Sequence, residues 1–457
     1  LPNNLNQILS NLKMMFMKRL SLAIALIGCF TLVHAQDNKS IISKLHADVQ
    51  FTRPGDKTGL NMFETTKDDT IPYDGLKVRF GAGFSQQFQS LAHSNSRAVA
   101  LYPRLAPGFG IAQANLTMDV QLYDGIKLNL TSYLAARHHN ETWVKGGYIQ
   151  FDKLPFKGAG WDKLMQYATI KVGHMEINYG DQHFRRSDGG NTIHNPFMEN
   201  YIMDAFATEI GGEFYLQKDG VMGMVGISNG LINGTQQSPI LAAGTDTTSY
   251  HRNPSFYAKG AVDKKLGDVR VRGAASVYYN NSSGRSTLYA GDRTGSNYFF
   301  VMEAATATSK DNFTSGRFDP TLTNQILAFQ LNGFIKAKGV ELFGTYENAK
   351  GRSINEKVAN FDKRNVNQFA ADIIYRIGSK EKVFIGGRYN TVRGQLLASN
   401  KDKQSIDRIA IGGGWFLTNN ILMKGEYVDQ KYNDFPAANR MADGRFKGFV
   451  MQAVVGF

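Results

Sequence analysis

Apolar and polar residues alternate with period two along this chain, again and again from Leu76 to Phe457. Leu76, Val78, Phe80, Ala82 and Phe84 share one face, and Lys77, Arg79, Gly81, Gly83 and Ser85 the other. Ile126, Leu128 and Leu130 alternate with Lys127, Asn129 and Thr131, and Val269 and Val271 with Arg270 and Arg272. Phe369, Ala371, Ile373 and Tyr375 alternate with Ala370, Asp372 and Arg376. A helix, with period 3.6, cannot hold such sets apart. The pattern predicts strands at 76–90, 108–123, 126–137, 143–151, 165–179, 205–217, 221–228, 255–263, 268–280, 322–336, 339–348, 366–377, 381–394, 405–417, 421–432 and 446–457. It leaves 91–107, 152–164 and 297–310 unassigned, and marks one short strand-like piece, Ala47 to Phe51.

Most runs reach about ten residues, longer than ordinary soluble strands and suited to tilted membrane-crossing ones. Short turns join some of them: Tyr123-Asp124-Gly125, Lys218-Asp219-Gly220, Lys264 to Asp268, Lys336 to Gly339, Gly378 to Glu381 and Thr418-Asn419-Asn420. Long polar loops, such as Asn229–Pro254 and Asn281–Pro320, join others. The expected fold is therefore all-β: a transmembrane antiparallel β-barrel of about 16 strands, with short periplasmic turns and long external loops. Lipid offers no partner to a bare N–H or C=O, so the sheet must close. Its outer face is apolar, and its polar face meets water or a plug. No separate plug domain is visible, so a water-filled lumen is the economical reading.

The N-terminal segment has a different pattern. Residues 1–13 read as an upstream extension, with Met14, Met15 and Met17 as candidate starts. Lys18-Arg19, the apolar run Leu20 to Val33 and the small-residue site Val33-His34-Ala35 have the order of a secretory signal peptide cleaved near Ala35. The chain thus divides into 1–35, cleaved; 36–75, a periplasmic lead-in; and 76–457, the barrel. Cleavage would remove Lys13, Lys18 and Arg19, taking the net charge from +13 to +10, and also the single cysteine, Cys29. A cysteine-free exported chain suits an oxidising compartment. The composition agrees with β-structure: 47 Gly against 11 Pro, and 12% aromatics. One cysteine excludes a disulfide scaffold, a zinc ribbon and an iron–sulfur protein.

The final strand carries Phe449, Met451, Ala453, Val455 and Phe457 at alternate positions, with Phe457 last. It resembles the carboxy-terminal signal read by the outer-membrane barrel-assembly machinery. The loop after the fifth strand, Gly180 to Tyr201, mixes Arg185 and Arg186 with Asp181, Asp188 and Glu199, and Asp204 follows. It also holds Phe184, Ile193, Phe197, Met198 and Tyr201, which a loop dangling in water would not need. It is expected to fold inward, apolar groups against the wall and charged groups at the opening. The whole barrel region resembles Gram-negative general porins, in which the third external loop sets the constriction. The stretch Ile170-Lys171-Val172-Gly173-His174-Met175-Glu176-Ile177-Asn178-Tyr179-Gly180 resembles the phosphate-selective porin O/P family, including members from Bacteroidota. Phe184-Arg185-Arg186 lies in the loop here, whereas that family carries Phe-Arg-Arg on an early strand. The resemblance implies a homo-trimer and a basic, anion-passing constriction.

Candidate anion-path residues are Arg185 and Arg186 in the loop, and Lys77, Arg79, Lys127, Arg270, Arg272, Arg376 and Arg388 on the polar wall faces. Basic side chains in a narrow low-dielectric pore favour anions, and arginine's planar fork suits oxyanions. Asp181, Asp188, Glu199 and Asp204 are candidates to brace the loop by pairing with those arginines. Basic strand ends also suit acidic lipopolysaccharide. No catalytic group, cofactor or metal site is expected. His138-His139 are adjacent, His183 and His194 lie eleven apart, and no G-x-S-x-G elbow occurs. Gly386-Gly387 and Gly412-Gly413-Gly414 lack a following Lys-Ser/Thr and read as close-packing positions. Scattered basic residues speak against nucleic acid. The expectation is a non-enzymatic, weakly anion-selective outer-membrane channel for small hydrophilic solutes, phosphate or other oxyanions among them. The alternative is a structural or adhesive barrel, or a subunit of a larger export or uptake complex.

Overall fold

Sixteen long antiparallel strands form a closed ring in the computed structural model of the chain. The described residues are 48–457 except 97–98, 102–103, 111, 136–141, 188–190, 233–239, 242–248, 309–313 and 399–400. The segments proposed as extension and signal peptide, with Cys29, lie outside them, as do His138-His139 and Asp188. We number the strands β1 Lys77–Ser94, β2 Gln113–Tyr123, β3 Ile126–Leu134, β4 Trp143–Phe151, β5 Ala168–Glu176, β6 Thr208–Lys218, β7 Val221–Ser228 and β8 Ser255–Leu266. The ring continues with β9 Val269–Asn280, β10 Gln325–Ala337, β11 Val340–Arg352, β12 Arg364–Ile377, β13 Val383–Gly394, β14 Gln404–Phe416, β15 Ile421–Asn433 and β16 Arg445–Gly456. Each pairs with its sequence neighbour, and β1 closes the ring on β16 from Gly83↔Gly456 to Ser94↔Arg445. Phe457 extends the seam, exchanging main-chain hydrogen bonds with Ala82 at 3.0 and 3.1 Å.

The predicted strands coincide with these sixteen, because the period-two pattern also marks the real faces. Outward positions such as Phe329 and Leu331, Ile409 and Ile411, and Phe449 and Met451 are exposed and apolar. Their neighbours Gln330, Asn332, Arg408 and Val450 point inward and are buried. Among the described residues no helix is long and apolar enough to cross a membrane. The tight turns have the expected chemistry. Asp219-Gly220 (φ 48° and 71°) and Lys338-Gly339 (φ 46° and 83°) give the paired positive φ of two-residue hairpins. One connection on that side departs from the pattern: 152–167 is long and includes a short helix, α1, Ala159–Met165.

The bore is not a uniform open tube. The loop 177–207 folds into it as expected, and its apolar residues meet the wall. Ile193 and Phe197 pack with Ile374, Phe384, Phe416 and Leu422, while Tyr201 and Phe184 pack with Phe63, Phe334 and Phe343. Two further segments join it. Residues 281–324 bring Leu288, Tyr289, Tyr298 and Val301 into the largest apolar cluster. The stretch after Asp48 also enters the bore: Asn61 donates to Glu341 on β11, and Lys57 N donates to Asn419 O at 2.9 Å.

Candidate functional site

Inward polar side chains of β9–β15 act mainly as partners for the main chain of loop 177–207. Asn390 Oδ1 accepts from Ile202 N at 2.6 Å, Gln368 Oε1 from Met203 N at 2.9 Å and Glu426 Oε2 from Met198 N at 2.9 Å. Lys424 Nζ donates to three carbonyls, Thr192, Asn195 and Phe197, at 3.0–3.1 Å. A buried carbonyl or N–H must find such a partner. The loop is therefore held rigidly on that half of the cylinder.

The arginines expected at the opening are in this packed half, and most are paired. Arg186 reaches Asp204 at 2.6 Å and Asp292 at 2.8 Å, and lies 3.7 Å over the Phe206 ring. Arg317 completes the cluster, contacting Asp292 at 2.6 Å and Glu199 at 2.7 Å. Arg388 is bidentate to Asp372 at 2.7 and 2.8 Å and donates to Glu199 O. Arg376 meets Glu341 at 2.7 Å, and Arg270 meets Asp263 at 2.7 Å. Arg272 shares Asp181 and Glu64 with Lys259, all within 2.8 Å. Lys77 pairs with Asp74 at 2.6 Å, at the start of β1. Arg185 is 3% exposed and stacked between Phe334 and Phe343. Thus Arg185, Arg186, Arg272, Arg376 and Arg388 are buried and do not line the open space, a departure from their expected place. Except at Arg185, a carboxylate at 2.8 Å or less neutralises each of them. Of the bracing candidates, Asp204 pairs with Arg186, whereas Asp181 pairs with Lys259 and Arg272, and Glu199 with Arg317.

The open space lies on the other side. A cavity of about 330 Å³ runs beside β1–β5, between that wall, the loop residues His183, Phe184, Asn191 and His194, and the inserted segment at 51–55 and 63–65. Arg53, Arg79, Lys127, Lys145 and Lys171 line it, against Glu64, Asp119 and Glu176. Two of the acids are already engaged. Glu64 is held by Lys259 and Arg272, and Glu176 contacts His183. Lys127 donates to Phe51 O and, at 3.0 Å, to Thr52 Oγ1. Lys171 lies 5.0 Å over the Tyr215 ring and 5.6 Å over Tyr148. No carboxylate pairs with Arg79 or Lys171 among the described residues. Burial, with Arg53 nearby, holds His194 well below its ordinary value, so it is neutral at physiological pH. The cavity therefore carries a positive surplus. Of the residues named from sequence, Arg79 and Lys127 face it; Lys145 and Lys171 were missed, although Lys171 lies in the motif that carried the family resemblance.

Among the described residues no cluster of three or more His, Cys, Asp or Glu is placed to hold a metal ion. No protein-family model matches the chain, and neither does any curated protein. Solved structures do resemble it. An anion-selective porin from Comamonas acidovorans matches with TM-score 0.49 at 10% identity, over 84% of this chain and 100% of that one. OmpT of Vibrio cholerae gives 0.46 at 12%, over 85% and 99%. The outer-membrane channel DcaP of Acinetobacter baumannii gives 0.45 at 9%, over 84% and 99%. One expectation is corrected by this set. The expectation of a non-enzymatic chain does not stand, because structures of OmpT, an outer-membrane protein of Vibrio cholerae, are among its neighbours. At 12% identity the likeness assigns no activity in its place.

Proposed function

We propose that the chain is an outer-membrane channel through which small hydrophilic solutes diffuse, with a weak preference for anions. The observation that carries this reading is the cavity beside β1–β5 with its surplus of cations. A hydrated wall on one side of a rigid filling gives a narrow path. Unpaired cations along a narrow path lower the barrier for anions. Arg79 and Lys171 are the charges we assign to selectivity, with Lys127 and Lys145 beside them. Arg79 presents a planar fork that suits oxyanions, phosphate included. The paired arginines, Arg186, Arg272, Arg376 and Arg388, brace the filling. The apolar outer face meets lipid, the loop side meets lipopolysaccharide, and the β16 strand engages the barrel-assembly machinery. A homo-trimer follows from the family resemblance.

Reversal potentials in planar bilayers under a potassium chloride gradient test the reading. The wild type should favour chloride. Exchanging Arg79→Ala together with Lys171→Met should move the reversal potential towards the cation side. A cation-selective or silent wild type would reject the channel reading. An unmoved potential in the double variant would reject the residue assignment.

A further inference from the structure

Arg185 differs from Arg186, Arg272, Arg376 and Arg388, and from Arg408, whose Nε, Nη1 and Nη2 all donate to protein acceptors. Arg186, Arg272, Arg376 and Arg388 each meet a carboxylate at 2.8 Å or less. For Arg185 the carboxylate at hand is Glu341, 4.0 Å away. That carboxylate is already held by Arg376 at 2.7 Å and Lys336 at 3.4 Å. Arg185 Nη1 donates to Asn61 Oδ1, but Nε and Nη2 are buried with no partner in the protein. The Phe334 and Phe343 rings, 5.6 and 5.0 Å from the guanidinium, offset part of its charge but accept neither N–H. A guanidinium cannot shed its proton to escape, so surplus charge and unmet donors coincide at one point.

Beside this group is a second cavity, of about 10 Å³, lined by Gln182, Arg185, Arg186, Tyr201, Asp204 and Arg388. The space suits one water-sized body. Arg186 and Arg388 border it too, but Asp204 and Asp292 hold the first and Asp372 the second, so the uncompensated charge at the cavity is that of Arg185. A water molecule would meet the free N–H groups, and Gln182 Oε1, which also lacks a partner, but would leave the charge of Arg185. A one-atom anion meets both. Phosphate or a carboxylate ligand needs several times the room. We propose that this cavity is a binding site for a single halide ion, chloride in ordinary solution, held by Arg185 Nε and Nη2. The ion fastens loop 177–207 to the inserted residue Asn61 and to the Phe334–Phe343 wall. It is a fixed ion within the packing, separate from any ion in transit, and it does not depend on conduction.

The test uses the purified full barrel in detergent. In crystals grown in sodium bromide, an anomalous peak is expected within hydrogen-bond reach of the Arg185 guanidinium. In solution, chloride or bromide should raise the melting temperature saturably above that in sodium gluconate of equal ionic strength, by on the order of 2 °C. Arg185→Met, which keeps an apolar stem between the two rings, should abolish that halide dependence. The proposal is overturned by the absence of a peak, by a peak without a halide-dependent melting shift (an adventitious ion only), or by an undiminished shift in R185M. The two wild-type measurements decide the matter even if the variant fails to fold.

Discussion

Glu64→Gln is the sharpest probe of the packed bore. Glu64 Oε1 lies 2.8 Å from Lys259 Nζ and Oε2 lies 2.6 Å from Arg272 Nη2, while Asp181 contacts the same two cations at 2.7 and 2.8 Å. Two cations and two carboxylates thus form a neutral square, with Asp263, itself held by Arg270, 3.6 Å from Arg272 at its edge, and Lys259 is fully buried. Burial alone would raise both carboxyls, but Lys259 and Arg272 outweigh it and hold both below the usual range. Both are therefore ionised at neutral pH, and neutralising Glu64 leaves one uncompensated buried charge. Breaking a buried pair in this way costs about 3–5 kcal/mol. Glu64→Gln with Lys259→Met removes one charge of each sign and keeps the Arg272–Asp181 contact. It also strips Asn178 Oδ1 and Gly180 O of their lysine donor, each bonded at 2.7 Å, at a cost of about 1 kcal/mol apiece. The double variant should therefore recover part of the loss, at least about 1 kcal/mol relative to E64Q. The measurement is urea unfolding of the barrel in lipid vesicles, followed by tryptophan fluorescence. The sign with pH is fixed by the depressed carboxyl values: the cluster contributes fully above the unfolded carboxylate range and is lost as acid passes the folded values. The E64Q penalty should thus be flat from about pH 6 to 8. A penalty under about 0.5 kcal/mol, or a double variant equal to the sum of its parts, would refute the reasoning.

Arg186→Met leaves Asp204 and Asp292 to share Arg317, and should cost about 3 kcal/mol by the same urea titration; wild-type stability would show the cluster to be passive. A side chain at Gly414 would put its Cβ 2.6 Å from the Phe384 ring, whereas Gly425 has open space. Gly414→Val should therefore lower folding yield in vesicles, with a loss of about 1–3 kcal/mol, and Gly425→Ala should not; equal behaviour would contradict the packing. Deleting residues 48–65 removes one wall of the large cavity and should raise single-channel conductance; an unchanged or smaller conductance would mean that this segment does not border the path.

The cylinder was legible because each strand advertises its two faces at every second position, and because turns such as Asp219-Gly220 carry residues that accept positive φ. The infolding of loop 177–207 was legible from Phe184, Ile193, Phe197, Met198 and Tyr201, which need apolar cover. What fills the rest of the bore was not. An inward Gln, Arg or Glu reads the same whether it meets water or the backbone of a packed loop. Its partner is also remote: Arg272 meets Glu64 across 208 residues, and Arg186 meets Asp292 across 106. Segment 281–324 looked like a surface loop because it is polar, yet Ser296, Asn297 and Tyr298 are buried through hydrogen bonds to Glu199 and Glu426. Counting charges could suggest a basic pore, but only contacts separate the spent arginines from Arg79 and Lys171.

The lopsided filling has a consequence for how such a molecule can change. Where inward side chains on β9–β15 clasp a loop backbone, an exchange breaks a joint and endangers folding. Along β1–β5 the inward residues that line the cavity without a carboxylate partner among the described residues, Arg79 and Lys171, front free volume, so their chemistry can be rewritten at small cost to the scaffold. One flank serves as foundation and the other as a keyboard, and new permeability would be expected to arise by retuning the second.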